Sequence, residues 1–309
     1  MNFLLIIVGL ILLVLGGNWL LKSAVALSLK LNISKVVIGM TVVSFATSAP
    51  ELIVSINAAL NNSSDLALGN VIGSNIANLG LVLGITLLLG SIKVEKTFYK
   101  IDWPVMIIAT GLLFWFLAND KVILRYEGIV LVAFLVIFIV YLLRSQKNID
   151  LEELEDGTDI AGFKIVLFLI IGGLGLWGGS ELLINGATAL AKDFGVTERV
   201  IGVTIVSIGT SIPELAASIV AVIKKEKAIS LGNLIGSNIF NILAVIGITS
   251  IITPISLTDN RLLTSDIYWM LGISLIILPL VLLPKKYKLN WKDGTLLLLC
   301  YCFFIYLTL

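Results

Sequence analysis

Residues Gly39–Gly84 read GMTVVSFATSAPELIVSINAAL, a short polar break, then LALGNVIGSNIANLGLVLG. Residues Gly202–Gly247 read GVTIVSIGTSIPELAASIVAVI, a charged break, then ISLGNLIGSNIFNILAVIG. The two stretches align at a constant offset of 163, which holds through Pro50 and Pro213, Glu51 and Glu214, and Asn78 and Asn241. About half of the aligned positions are identical. The likeness continues upstream with one residue of slippage, pairing Gly16-Gly17 with Gly178-Gly179. Self-similarity at a fixed offset means that one structural unit is used twice.

The composition around the repeat decides its solvent. The chain of 309 residues is 58% hydrophobic and 13% charged, with mean hydropathy +1.08. Soluble domains are about 45–50% apolar and about 25% charged. A water-soluble globule of this composition would expose large apolar patches, and such a chain has too little charge to be disordered. Histidine is absent, which removes His triads, His-ligated zinc or haem and imidazole proton relays. Cys300 and Cys302 lie in one apolar run, so neither a disulfide framework nor a four-thiolate site is possible. A net charge of +1 gives no footprint for nucleic acid. The chain reads as an all-α integral membrane protein.

A spanning helix needs roughly 20 mostly apolar residues. Ten runs qualify, at about 2–28, 36–60, 66–90, 103–118, 122–143, 162–190, 200–223, 229–252, 266–283 and 293–308; they are numbered helices 1–10 below. No alternating strand pattern speaks for a barrel. The first run lacks a basic n-region and a small-residue cleavage site, so it reads as a retained helix. With the N-terminus outside, the inner connections hold fifteen Lys and Arg and the outer ones five, with Lys22 inside a span. Cytoplasmic loops carry the excess of basic residues, so both termini are expected to be extracytoplasmic and the protein multi-pass in the plasma membrane. Residues 1–144 form the first five-helix repeat, 145–161 an acidic cytoplasmic linker and 162–309 the second repeat. The linker holds Asp150, Glu152, Glu153, Glu155, Asp156 and Asp159. It reads as a solvated connection, since it lacks the ordered spacing and turn glycine of a calcium-binding EF-hand loop.

Five is an odd number, so the second repeat enters the membrane from the opposite side. The expected architecture is two inverted-topology repeats of five, with broken helices 2 and 7 meeting at the bilayer midplane. Many secondary transporters have this plan.

The chemistry sits in Thr47-Ser48-Ala49-Pro50-Glu51 and Thr210-Ser211-Ile212-Pro213-Glu214. Proline has no N–H and its ring clashes with the carbonyl four residues back. Ala46 and Gly209 lose their helical partners, and the carbonyls of Thr47 and Thr210 can turn out. Freed backbone at membrane depth is tolerated where it lines an enclosed cavity. An acid at the bilayer centre costs about 2.5–3.5 kcal/mol on insertion scales. Two facing carboxylates add repulsion, so a bound cation or a proton must offset the cost. Ser74 and Asn78, and Ser237 and Asn241, are four residues apart and share a helical face. They supply oxygens without charge, as do Ser44, Ser48, Ser207 and Ser211. Oxygen-only sites suit hard cations. Ca²⁺ accepts about 6–8 oxygens in flexible geometry, and the same oxygens could hold Na⁺. Mutually exclusive occupancy of shared carboxylates is a physical route to antiport.

These paired motifs resemble the two alpha repeats of the cation/calcium exchanger superfamily, most closely the prokaryotic sodium/calcium exchangers. The resemblance covers both repeats and the ten-span plan. It implies alternating access, with helices 1 and 6 sliding as a pair against helices 2–5 and 7–10. It implies that Glu51 and Glu214 bind Ca²⁺ with the main-chain oxygens of Thr47 and Thr210. It further implies Na⁺ sites built from Ser48, Ser211, the main-chain oxygens of Ser44 and Ser207, and the two glutamates again, with Asn78 and Asn241 lining the central position. Family members often carry an aspartate at one central position, whereas this chain has Asn78 and Asn241. The pocket then holds a formal charge of −2, which one Ca²⁺ neutralises, so the usual three-for-one stoichiometry is open.

The expected function is therefore Na⁺/Ca²⁺ antiport by a monomer in the lipid bilayer, with Ca²⁺ and Na⁺ as transported ions, no resident cofactor and no enzymatic activity. Ca²⁺/H⁺ exchange is the second reading, since each carboxylate could carry one proton. A passive cation channel is a third. An intramembrane enzyme fits poorly without a nucleophile–base pair. Lys22 and Glu181 read as snorkelling groups or an interhelical pair. Trp19 and Trp177 read as lipid or interface anchors, and the two cysteines as buried and inert.

Overall fold

The computed structural model describes residues 2–145, 161–195, 207–283 and 287–308. Among these residues the protein is nearly all helical. Eight helices are long and apolar enough to cross a membrane: Asn2–Leu31, Lys35–Leu60, Ser64–Leu89, Phe98–Asp120, Arg125–Ser145, Gly162–Asp193, Lys227–Ile252 and Leu262–Leu282. They are helices 1–6, 8 and 9. The shorter Ile212–Ile223 belongs to helix 7, and Trp291–Thr308 is helix 10. The acidic segment 146–160 and the basic residues Lys147, Arg199, Lys285 and Lys286 lie outside the described residues.

Local chemistry sets the helix ends. Ser34 caps helix 2 by accepting a hydrogen bond from Val37 N. Lys121 closes helix 4 in the left-handed conformation, at φ 53°. Helices 5 and 10 begin alike: Glu127 accepts from Leu124 N at 2.8 Å, and Asp293 from Asn290 N at 2.8 Å. Each carboxylate satisfies an N–H that the first turn leaves unpaired.

Among the described residues, four two-residue strands lie in the connections. β1 (Ile92–Lys93) pairs antiparallel with β4 (Lys288–Leu289), and β2 (Val122–Ile123) with β3 (Ile255–Ser256). Helix 4 runs from β1 to β2, and helix 9 from β3 to β4. The two pairings therefore force helices 4 and 9, which hold the same place in the two repeats, to run antiparallel. Each pairing also joins connections that the basic-residue count assigns to one side. Other links agree: Lys35 pairs with Glu226 at 2.9 Å, while Asn2 donates to Asp193 at 2.9 Å and Lys121 to Asn260 at 3.0 Å.

Helices 3 and 8 form the centre. Their apolar windows are 78% and 83% buried, against 33% for helix 1 and 28% for helix 6. Helix 2 reaches helix 8 through Gly39, where a β-carbon would sit 2.6 Å from Ile229 O. Helices 1 and 6 lie along each other at similar range, and a β-carbon on Gly9 would meet Gly179 O at 2.8 Å. Small residues let membrane helices approach this closely.

Three expectations change. Helix 2 is not broken at Pro50. It holds a wide π turn over Gly39–Val43 and then runs as α-helix from Ser44 to Leu60, with Pro50 inside it. Helix 7 is interrupted: a turn at Ser207–Gly209 stops, and helix restarts at Ile212. Glycine at 209 in place of Ala46 lowers helix propensity by about 1 kcal/mol. Second, Lys22 does not pair with Glu181; its Nζ lies 5.6 Å from the centre of the Phe168 ring, a cation–π contact that holds the ammonium without an acid. Third, Cys302 is exposed and Cys300 only partly buried, because residues two apart along helix 10 point to nearly opposite sides, and only Cys300 packs against the core.

Candidate ion-binding site

Glu51 and Glu214 are both fully buried, and close enough for their charges to interact. Glu51 sits one residue beyond Pro50, and Glu214 in the first turn after the break in helix 7. Both Glu51 carboxylate oxygens and Glu214 Oε2 lack a hydrogen-bond partner. Glu214 Oε1 accepts a long bond of 3.4 Å from Ser48. The hydroxyls of Thr47 and Ser237 also approach Glu214. Among the described residues the one salt bridge is Lys35–Glu226, so no lysine or arginine neutralises either glutamate there.

The surrounding oxygens come in symmetry-related pairs. Thr47 Oγ1 lies 3.3 Å from Ser237 Oγ, and Thr210 Oγ1 lies 3.2 Å from Ser74 Oγ. At the crossing of helices 3 and 8, Asn75 Nδ2 donates to Asn238 O at 3.1 Å, and Asn238 Nδ2 donates back to Asn75 O at 3.2 Å. Asn78 Nδ2 donates to Asn238 Oδ1, and Asn241 Nδ2 to Asn75 Oδ1, each at 3.1 Å. This orients the central asparagines. Their amide nitrogens are tied down, while Asn78 Oδ1 and Asn241 Oδ1 are buried and unpartnered. Both residues also open a π turn, Asn78–Val82 and Asn241–Ile246. Such widened turns recur at functional sites.

The symmetry is incomplete. Thr47 Oγ1 also lies 3.2 Å from Asn233 Oδ1, whereas Asn70, the counterpart of Asn233, bonds Ser55 at 3.1 Å and Glu51 O at 3.4 Å. Ser48 reaches Glu214, but Ser211 Oγ has no partner. The Glu214 side is held and the Glu51 side is left open.

The structure thus brings together Thr47, Ser48, Glu214 and Ser237, joins Ser74 to Thr210, and sets Asn78 and Asn241 at one crossing. Ser44 does not present its hydroxyl to the glutamates. Its Oγ contacts Gly39 O at 2.8 Å and Asn233 O at 2.9 Å, fastening helix 2 to helix 8. Ser207 opens the turn before the helix 7 break. The Gly209 carbonyl is not free, since Ser180 of helix 6 donates to it at 2.9 Å. Asn75 and Asn238 escaped the sequence reading, although each lies three residues before a chosen asparagine and so on the same face. Ser180 carried no sequence signal.

Chemically, the site is two acids with unpaired oxygens among neutral amide and hydroxyl oxygens, shielded from water. It matches a hard-cation donor set.

Known proteins agree with this architecture. The family described as sodium/calcium exchanger protein matches residues 1–144 and 164–309. CaxA of Alkalimonas amylolytica, named as a candidate antiporter, is 37% identical over 310 residues, covering 98% of this chain and 97% of that one. The sodium/calcium exchanger MaX1 of Methanosarcina acetivorans is 30% identical over 347 residues, covering 98% of this chain and 97% of MaX1. A solved structure of the sodium-calcium exchanger NCX_Mj, soaked with Na⁺ and Sr²⁺, superposes with a TM-score of 0.84 at 28% identity, covering 99% of this chain and 97% of that one. With the family matched along both halves, this chain belongs to the sodium/calcium exchanger family.

Proposed function

We propose that the protein is a secondary antiporter that exchanges Na⁺ for Ca²⁺, with Glu51 and Glu214 shared between the two ions. The observation that carries this is the pair of fully buried glutamates with three unpartnered carboxylate oxygens. A buried charge of −2 is tolerable only when cations or protons balance it. One Ca²⁺ does so, with oxygens of Glu51, Glu214, Asn78 and Asn241 and the carbonyls of Thr47 and Thr210 as its ligands. Na⁺ takes the same carboxylates with Ser48, Ser211, Ser74, Ser237 and the main-chain oxygens of Ser44 and Ser207. Either ion excludes the other, and that exclusion couples their fluxes. The family membership and the activity named for MaX1 and NCX_Mj support the same ions.

Alternating access completes the proposal. Helices 1 and 6 lie against each other with glycines lining their mutual contact, where a β-carbon on Gly9, Gly16, Gly172 or Gly179 would meet the facing helix's backbone within 3 Å, which fits a pair that slides against the rest as one body. The two repeats, 1–144 and 162–309, form the two halves around the site. The lysine-rich face is cytoplasmic, both termini are extracytoplasmic, and one chain in the cell membrane suffices, because both glutamates come from it. The activity is transport and not catalysis.

In proteoliposomes, an outward Na⁺ gradient is expected to drive uptake of radiolabelled Ca²⁺. Equal uptake with choline inside and a pH gradient would indicate Ca²⁺/H⁺ exchange instead. Flux independent of any counter-ion would indicate a channel.

A further inference from the structure

A second charged feature lies away from the glutamates. The connections between helices 1 and 2, 3 and 4, 7 and 8, and 9 and 10 enclose a crevice of about 730 Å³. Lys35, Lys93, Lys225, Lys227 and Lys288 line it against Glu95 and Glu226, leaving three positive charges in excess.

Two of these lysines are engaged. Lys35 pairs with Glu226 at 2.9 Å, and Lys227 Nζ donates to Ser91 O at 2.9 Å. Lys93 and Lys288 differ. They are direct cross-strand partners in the β1–β4 pairing. Like charges set opposite each other destabilise a ladder. The fold nevertheless imposes the arrangement, because the alternate residues Ile92 and Leu289 are fully buried, and successive side chains point to opposite faces. Both lysines are exposed, and among the described residues neither forms a salt bridge.

The helix ends that lead into these connections carry exposed apolar residues. Leu31, Leu89, Ile223 and Leu283 are each more than half exposed, and each lies within five residues of a crevice lysine. The crevice therefore gathers ammonium groups in connections whose membrane helices end in exposed apolar side chains.

We propose that this crevice binds the phosphate-bearing headgroup of an anionic membrane lipid, with Lys93 and Lys288 clasping the phosphate and the exposed apolar helix ends seating the acyl chains. A bound phosphate turns an unfavourable lysine pair into a bridged one. Basic pockets between membrane helices bind such headgroups, and lysine serves as a flexible point charge for phosphate. The proposal does not depend on which ions are exchanged.

Native mass spectrometry of the purified full chain tests it, by titration with phosphatidylglycerol, phosphatidylcholine and inorganic phosphate. One phosphatidylglycerol is expected to bind per chain in preference to phosphatidylcholine. Its affinity should fall about tenfold or more in K93Q/K288Q, fall in the same direction in K225Q, and hold in K164Q, an exposed lysine outside the crevice. Undiminished binding in K93Q/K288Q, or an equal loss in K164Q, overturns the site. Phosphatidylglycerol and phosphatidylcholine held alike, with inorganic phosphate bound in their place, overturns the lipid as the source of the anion.

Discussion

Ser180 Oγ donates a hydrogen bond of 2.9 Å to the carbonyl of Gly209, the acceptor that Pro213 cannot reach because it has no N–H. A residue of helix 6 thereby pins the broken end of helix 7 beside the candidate ion site. Removing the hydroxyl strands a buried carbonyl, at about 1–3 kcal/mol. Ser180→Ala should lower thermal stability by that amount and slow Ca²⁺ uptake, while Ser180→Thr keeps both near wild type. Unfolding curves in detergent and uptake assays check this; an unaltered Ser180→Ala would mean that the bond holds nothing in place.

Glu51→Gln and Glu214→Gln should each nearly abolish Ca²⁺ exchange, because a neutral amide cannot balance a divalent ion at membrane depth. Folding should survive, since neither carboxylate is bound to a basic side chain among the described residues. Radiolabelled Ca²⁺ uptake into proteoliposomes is the measurement. Near-normal flux in either variant would remove that glutamate from the site.

Asn238→Ala should destabilise the protein more than Ser180→Ala. It deprives Asn75 O of its donor and Asn78 Nδ2 of its acceptor at once, and each buried orphan costs about 1–3 kcal/mol. Asn75→Ala should match it through the reciprocal bonds. A double-mutant cycle on the pair should give a coupling of about 0.5–3 kcal/mol. Strict additivity would show that the two asparagines do not act as a unit.

Asn78→Asp or Asn241→Asp adds a third carboxylate to a pocket that one Ca²⁺ already neutralises. The extra charge must be met by a proton or another cation. Exchange by either variant should therefore depend on pH more strongly than wild type, impaired where the new acid is ionised and recovering as a proton neutralises it, measured as Ca²⁺ uptake across a pH series. An unchanged pH profile would place the residue outside the ion pocket.

Much of the fold was legible because lipid is an unforgiving solvent. Twenty apolar residues in a row, a proline and an acid in the same span are each costly unless they mean something, so the repeats and the two glutamates stood out. The residues that escaped did so for a physical reason. Hydropathy does not separate a lipid-facing residue from a core-facing one, since both environments are apolar; Cys302 was read as buried and is exposed. Likewise Glu181 was the one partner that charge offered Lys22, whereas an aromatic ring, Phe168, lies beneath its ammonium. Two prolines with the same surroundings also read alike, yet only helix 7 is interrupted. The difference lies in Gly209 and in a serine on another helix.

The amino-acid order by itself determined that this is a helical membrane protein, that it is built twice over, and that each half carries one acid beside a proline. Those properties rest on short-range patterns and on transfer energies that hold wherever a residue sits in the bilayer. Only the tertiary structure decided that Glu51 and Glu214 are both buried and near each other, that Asn75 and Asn238 lock the crossing helices, and which oxygens stay unpartnered. Such relations join residues far apart in sequence, and they follow from how glycine-lined spans dock on one another, which apolar patterning alone does not encode.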